Sequence, residues 1–196
     1  NLKAFWLKRG FKPTFKAVSD EETLVAQGEL IASENSPTVA EILKWMMLWS
    51  DNLLSERLAR LSARAAGYSL DIKGVETIFR ALLTQLEIDD SKLVVVDASG
   101  LSKKNRITAK LMGEFLYKIH KDEKYALLYD SLPISGVSGT LQNRFTTTAP
   151  AAVGLVRAKT GTLSGTATLA GYDSDGDSAG GGGNFRRIAL GAQIST

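Results

Sequence analysis

The residues with most chemistry to offer lie in one run, Val156-Arg157-Ala158-Lys159-Thr160-Gly161-Thr162-Leu163-Ser164-Gly165. It reads as a strand over 155–162, a glycine turn, and a second strand over 166–172. Alternate side chains of an extended chain share a face, so Lys159 and Gly161 point one way and Thr160, Thr162 and Ser164 the other. Gly161 and Gly165 let another backbone approach closely. A cationic amine beside a row of hydroxyls is a receiver for a carboxylate. By itself, however, Lys-Thr-Gly suits equally an edge strand with solvated threonines. A second polar triplet, Ser50-Asp51-Asn52, stands upstream between two apolar helical patterns. Three polar residues at such a corner can hold side chains towards a cleft. On the triplet alone, capping of the second helix by Ser50 or Asp51 is the simpler reading.

Ser-x-Asn followed by Lys-Thr-Gly is the motif set of penicillin-binding proteins and serine β-lactamases. Two flanking segments sharpen the match. They are Val94-Val95-Val96-Asp97-Ala98-Ser99-Gly100-Leu101-Ser102 with Asn105-Arg106, and Leu132-Pro133-Ile134-Ser135-Gly136-Val137-Ser138-Gly139-Thr140-Leu141. From about 29 to 172 the chain resembles, in the same order, the D-alanyl-D-alanine carboxypeptidase/endopeptidase group, the class C low-molecular-mass penicillin-binding proteins. The nucleophile of that family lies in Ser-x-x-Lys, and no serine here has lysine three positions on. The resemblance therefore implies that the chain is the C-terminal part of a longer polypeptide. Residues 1–35 would end an inserted region and lead into the catalytic domain, and 36–196 would be its C-terminal portion. The missing N-terminal portion carrying Ser-x-x-Lys would be a partner.

The same resemblance assigns roles. Ser50 would relay a proton towards the leaving amine, and Lys159 would place positive charge near Ser50 and the substrate's terminal carboxylate. Asn52 would hold the substrate amide. Thr160 and Thr162 would bond the carboxylate, within the Lys-Thr-Gly turn at Gly161, and the Thr162 N–H would form half of an oxyanion hole. Ser164 would reach the penultimate side chain, and Ser99 and Leu101 would line the cleft. The implied ligands are a peptidoglycan stem peptide ending in D-Ala-D-Ala and β-lactams. The implied location is extracytoplasmic, on the periplasm or cell-wall side.

Composition is consistent with a folded domain. At 196 residues, 44% hydrophobic and 23% charged, the chain can bury a core of its own. Its 24 basic and 21 acidic residues are interspersed and leave a net charge of +3, which is no nucleic-acid footprint. There is no cysteine, hence no disulfide framework. No apolar run is long enough for a transmembrane helix, and no cluster has metal-ligand spacing. No cofactor is implied. His120, the one histidine, sits among lysines and reads as solvated, which leaves no Ser-His-Asp triad.

The elements that must position the motifs follow from periodicity and caps. A short helix is expected to end at Gly10 and a strand to run over 23–32. Ser36-Pro37 predicts a helix start, and Val39, Ile42, Leu43, Met46 and Met47 predict its core-facing stripe. A second helix follows the Ser50 triplet and ends near Gly67. Residues 73–86 form an amphipathic helix, 93–96 a short strand, and Thr108 caps a helix with Leu111, Met112, Phe115, Leu116 and Ile119 inward. A short helix spans 123–130. The glycine-rich run 173–184 reads as the loose tip of a hairpin whose second strand is 185–194. The fold expected is α+β, an antiparallel sheet with a helical cluster, part of the serine β-lactamase/penicillin-binding transpeptidase-like fold. Two alternatives stand beside the peptidase. A class A β-lactamase needs a deacylating Glu-x-x-x-Asn, and Glu87 is followed by Asp89, Asp90 and Ser91, with no asparagine. A non-catalytic wall-binding module with a degraded site is the other.

Overall fold

The computed structural model describes residues 7–12, 34–174 and, as backbone, 185–193. The chain divides into two units, Asn1–Ser36 and Pro37–Thr196. In the first, Gly10 at φ +81° donates its N–H to the Leu7 carbonyl at 3.1 Å and closes a turn. The strand expected over 23–32 lies outside the described residues, as does 175–184 of the loose tip expected over 173–184; Asp173 and Ser174 instead end a strand.

The second unit opens with helix α1, Val39–Trp49. It does not start at Ser36-Pro37 as the sequence suggested. Thr38 is the N-cap, because Thr38 and Glu41 form a reciprocal capping box. The Thr38 hydroxyl accepts from the Glu41 N–H at 3.3 Å and the Glu41 carboxylate accepts from the Thr38 N–H at 2.8 Å. Two donors satisfied together outweigh a serine-proline signal two residues earlier. The expected core stripe needs correction too. No residue of α1 is fully buried, and Val39 is 69% exposed. Periodicity tells which side is apolar, not how much of it the neighbours cover.

Three more helices start on side-chain caps. Helix α2, Asn52–Ala65, is capped by Asp51, whose carboxylate accepts the Leu54 N–H at 2.9 Å. Helix α3, Ile72–Gln85, is capped by Asp71, and helix α4, Ala109–His120, by Thr108. A 3-10 turn, Glu123–Tyr125, leads into the short helix α5, Ala126–Asp130. The predicted strand over 93–96 is not one. Its only ladder contact among the described residues is a lone antiparallel bridge of Val94 to Arg106.

Strands β1 (Val156–Leu163), β2 (Thr166–Ser174) and β3 (Phe185–Gln193) form an antiparallel sheet in the order β1-β2-β3. The β1–β2 register runs from Val156 opposite Asp173 to Leu163 opposite Thr166, with Lys159 opposite Ala170. Both faces are packed. On the face shared by Arg157, Lys159 and Tyr172, the buried ring of Tyr172 meets Leu116, Ile119 and Leu132. Its hydroxyl donates to the Leu116 carbonyl at 2.8 Å, and burial pushes its pKa up to about 12, so it stays a neutral donor. On the other face Val156 and Ala158 pack on the fully buried Leu141. A third cluster, Leu83, Ile88, Leu93 and Leu111, joins α3 to α4.

Candidate active site

Three short pieces of backbone build the site. The first is the corner between α1 and α2. Ser50 ends α1 in the left-handed region, at φ 59° and ψ 47°, where an L side chain is strained. The Met46 carbonyl accepts the N–H of both Ser50 and Asp51. Asp51 caps α2 at once, so the chain turns within two residues and Asn52 becomes the first residue of α2. The bland reading of the triplet is correct for Asp51. It does not account for Ser50, whose hydroxyl is used elsewhere.

The second piece is the outer edge of β1, whose first residues are bonded to the segment 133–135. Ala158 donates its N–H to the Pro133 carbonyl at 2.9 Å, and the Val156 carbonyl accepts from Ser135 at 2.9 Å. In an antiparallel ladder the residues that face the partner strand alternate with those that do not. The N–H groups of Thr160 and Thr162 therefore also point away from β2, along the edge past Pro133. Gly161 is packed closely; a Cβ there would meet the Thr168 hydroxyl at 2.4 Å.

The third is the 3-10 turn Gly139–Leu141. Leu141 clamps it to β1. Gly139, at φ +55°, lies so near α1 that a Cβ would meet the Leu48 carbonyl oxygen at 2.5 Å. The turn is thus wedged between the end of α1 and the middle of β1.

These contacts bring Lys159 to Ser50. The Lys159 ammonium donates to the Ser50 hydroxyl at 2.7 Å and to the Thr160 carbonyl at 2.7 Å. Among the described residues no carboxylate pairs with it, and burial lowers its pKa from that of an ordinary lysine. A partly desolvated cation held by neutral oxygens is strongly attracted to an arriving anion. The Thr160 hydroxyl donates to that of Thr140 at 2.8 Å. Beside them opens a cavity of about 580 Å³, largely apolar, lined among others by Met47, Met112, Phe115, Tyr172, Lys159 and Thr160.

The remaining expected residues are placed as follows. Asn52 is exposed on the first turn of α2, and Thr162 is exposed on β1. Ser164 is not on the strand as expected; β1 ends at Leu163 and Ser164 stands exposed in the turn, because Gly165 at φ +78° reverses the chain there. Ser99 and Leu101 lie in a loop tied to α2 rather than to the lysine. The Glu56 carboxylate accepts the N–H of Ala98 at 2.7 Å and of Ser99 at 3.0 Å, and the Ser55 hydroxyl donates to the Ala98 carbonyl at 2.6 Å. Glu56 sits one helical turn beyond Asn52, on the same side of α2. Asp97 closes the loop from within, accepting from the N–H of Gly100 and Ser102, both at 2.6 Å, and from the side chains of Asn105 and Ser99. His120 is exposed, yet its ring lies 5.0 Å from that of Tyr172 and 5.5 Å from that of Tyr129, so it is not simply solvated. Glu87 is exposed at the end of α3 and pairs with Lys118 at 3.3 Å. Among the described residues no cluster of acids and histidine could hold a metal, and no helix is long and apolar enough to cross a membrane.

Sequence reasoning did not single out Thr140, Ser55 or Glu56. Nothing in local spacing marks a hydroxyl at 140 as the neighbour of one at 160; only the packing of Leu141 brings them together.

A helical cluster whose corner serine meets an edge-strand lysine on an antiparallel sheet is the penicillin-binding transpeptidase-like fold. The chain superposes on penicillin-binding protein 4 from Haemophilus influenzae with a TM-score of 0.70 and 30% sequence identity, covering 80% of this chain and 34% of that one. A β-lactam complex of the same protein matches with a TM-score of 0.67 and 31% identity, covering 79% and 36%. The chain belongs to the D-Ala-D-Ala carboxypeptidase 3 (S13) family, whose model it matches over residues 2–183. It is 43% identical over 155 residues to the carboxypeptidase DacB of Mycolicibacterium smegmatis, covering 76% of this chain and 33% of that protein. To the D-alanyl-D-alanine carboxypeptidase DacB of H. influenzae it is 36% identical over 151 residues, covering 74% and 31%. The chain thus spans about a third of the length of these relatives.

Proposed function

We propose that this chain supplies one wall of the active site of a serine D-alanyl-D-alanine carboxypeptidase/endopeptidase that acts on peptidoglycan stem peptides outside the cytoplasm and is acylated by penicillins. The observation that carries the reading is the 2.7 Å contact of Lys159 with Ser50. Two polar groups far apart in sequence converge beside a cavity that Lys159 lines, and Lys159 has no ion-pair duty among the described residues. The nucleophile belongs to a Ser-x-x-Lys segment outside this chain. Its serine oxygen attacks the carbonyl carbon of the penultimate D-alanine, and the peptide C–N bond breaks. The serine proton passes, by way of Ser50, to the leaving D-alanine amine. Water then cleaves the resulting ester.

Each residue of the wall has a part in this. Lys159 orients the Ser50 hydroxyl and offers charge to the terminal carboxylate. Thr160 and Thr162 donate to that carboxylate, and the outward N–H of Thr162 stabilises the tetrahedral oxyanion. Asn52 holds the peptide amide. Ser99 and Leu101, carried by the loop that Glu56 fastens to α2, and Ser164 at the turn contact side chains further along the peptide. Gly161 keeps the strand flat enough for the substrate to lie along it. The test is mass spectrometry after incubation with benzylpenicillin. This chain alone should gain no adduct. The polypeptide that includes the Ser-x-x-Lys segment should gain one, on a serine of that segment. An adduct on any serine of this chain would place the nucleophile elsewhere and overturn the reading.

A further inference from the structure

The geometry points to Thr140 as a positioning residue for carboxylate recognition, acting through the hydroxyl of Thr160. This inference rests on the reading above, in which Thr160 meets the substrate's terminal carboxylate. The two hydroxyl oxygens are 2.8 Å apart, with Thr160 as donor and Thr140 as acceptor. A hydroxyl has one proton to give. If Thr160 turns its proton to a carboxylate, its bond with Thr140 survives only by reversing, with Thr140 now donating. Thr140 can do this because the turn that carries it is fixed on every side. Leu141 is fully buried against Val156 and Ala158. Gly139 abuts the Leu48 carbonyl two residues before Ser50. The Ser138 hydroxyl accepts the Ile134 N–H at 3.1 Å. The turn therefore touches both elements that carry the Ser50–Lys159 pair, and it presents one hydroxyl to the site. With Thr140 donating, Thr160 is held in the orientation in which it donates outward. The effect is specific to a charged carboxylate and absent for a neutral ester, which attracts the donor far less.

The experiment compares acylation rates of the polypeptide that includes the Ser-x-x-Lys segment, as wild type, Thr140→Val and Thr140→Ser. The probes are benzylpenicillin, with its free carboxylate, and its methyl ester. Thr140→Val keeps the shape of the side chain and removes the hydroxyl. It should slow acylation by the free acid up to about 10-fold, the upper end for loss of one hydrogen bond between neutral groups. The ester rate should stay within about twofold, and Thr140→Ser should restore the free-acid rate. Thermal melting of each variant reports folding. A Thr140→Val protein that slows equally with acid and ester would make the contact merely structural and overturn the inference. So would one that reacts with both as the wild type does. A wild type acylated by neither probe would sink the underlying reading, and this inference with it.

Discussion

Lys159 on the edge strand and Ser50 at the corner of two helices meet at 2.7 Å across 109 positions of sequence. Neither is placed by its neighbours in the chain. The lysine is brought there by the β1–β2 register and the serine by a left-handed helix end, so the contact exists only in the folded protein.

Replacing Lys159 by alanine should leave the fold intact, because the ammonium lies at the cavity and not in the buried clusters. Penicillin acylation of the complete polypeptide should fall about 100-fold, the typical loss on removing one transition-state donor. Second-order rates for mutant and wild type at one pH decide it, and equal rates would remove Lys159 from the mechanism.

Burial also makes Lys159 a source of pH dependence. The folded chain binds this proton more weakly than the unfolded chain does. Between the lowered folded pKa and the ordinary unfolded one, the unfolded state holds the extra proton, so stability rises with pH across that window. The cost is fully present below it. Lys159→Met should therefore be more stable than wild type at neutral pH, with the gap closing as pH rises towards the ordinary lysine value. Urea midpoints at several pH values test this; a gap that widens with pH would contradict the assigned direction.

Ser50 pays for its place with backbone strain. A left-handed conformation costs an L residue about 1–2 kcal/mol, while glycine gives back roughly 0.5–1 kcal/mol in chain entropy. Ser50→Gly should then raise stability by up to about 1 kcal/mol and abolish acylation of the complete polypeptide. A variant that is destabilised, or one that keeps full acylation, would show that the hydroxyl serves the fold and not the reaction.

Much of this was legible in the sequence because it rests on local chemistry. Asp51, Thr108 and the apolar period of 109–120 specify their helices without help, and the Gly161 and Gly165 pattern specifies the hairpin. What was not legible depends on coverage and contact. The stripe of Val39 and Met46 has the right spacing for a core, but spacing cannot say that Val39 stays exposed while Met46 is only half-buried. Val94 to Val96 has strand composition and, among the described residues, finds a bridge partner only at Arg106. Thr140 is an ordinary residue until Leu141 seats its turn on β1. Ser50, by contrast, could be singled out only by likeness to known motifs, since its left-handed backbone has no composition signature.

Asp97 should make the loop at 97–102 sensitive to acid. Burial works against its charge, but the N–H groups of Gly100 and Ser102 and the side chains of Asn105 and Ser99 outweigh it, and its pKa is lowered. A depressed carboxylate contributes stability that is present above the unfolded pKa and is lost as pH falls through the folded one. The amides of Gly100 and Ser102 should therefore lose hydrogen-exchange protection at acid pH before α3 and α4 do. Asp97→Asn should lose that protection at neutral pH as well. Uniform protection down to global unfolding would count against a separate loop anchor.

Two glycines give opposite expectations from the same substitution. At Gly171, on β2, an added Cβ would stand 2.1 Å from the Arg157 carbonyl oxygen and 2.5 Å from the Ala158 Cα. Both atoms are backbone of the neighbouring strand and cannot rotate away. Gly171→Ala must push β1 off β2 next to Lys159, at a cost of about 3 kcal/mol, the upper end for overpacking. At Gly113, on α4, a Cβ would meet nothing within 4 Å. Gly113→Ala should stabilise by up to about 1 kcal/mol, the difference between the two residues in a helix interior. Denaturation midpoints of the two variants should thus move in opposite directions. The Lys159 side-chain resonance should shift only in Gly171→Ala, because only that substitution disturbs the register that brings the lysine to Ser50. A Gly171→Ala protein as stable as wild type, with Lys159 unmoved, would mean that the β1–β2 spacing is not what holds the pair together.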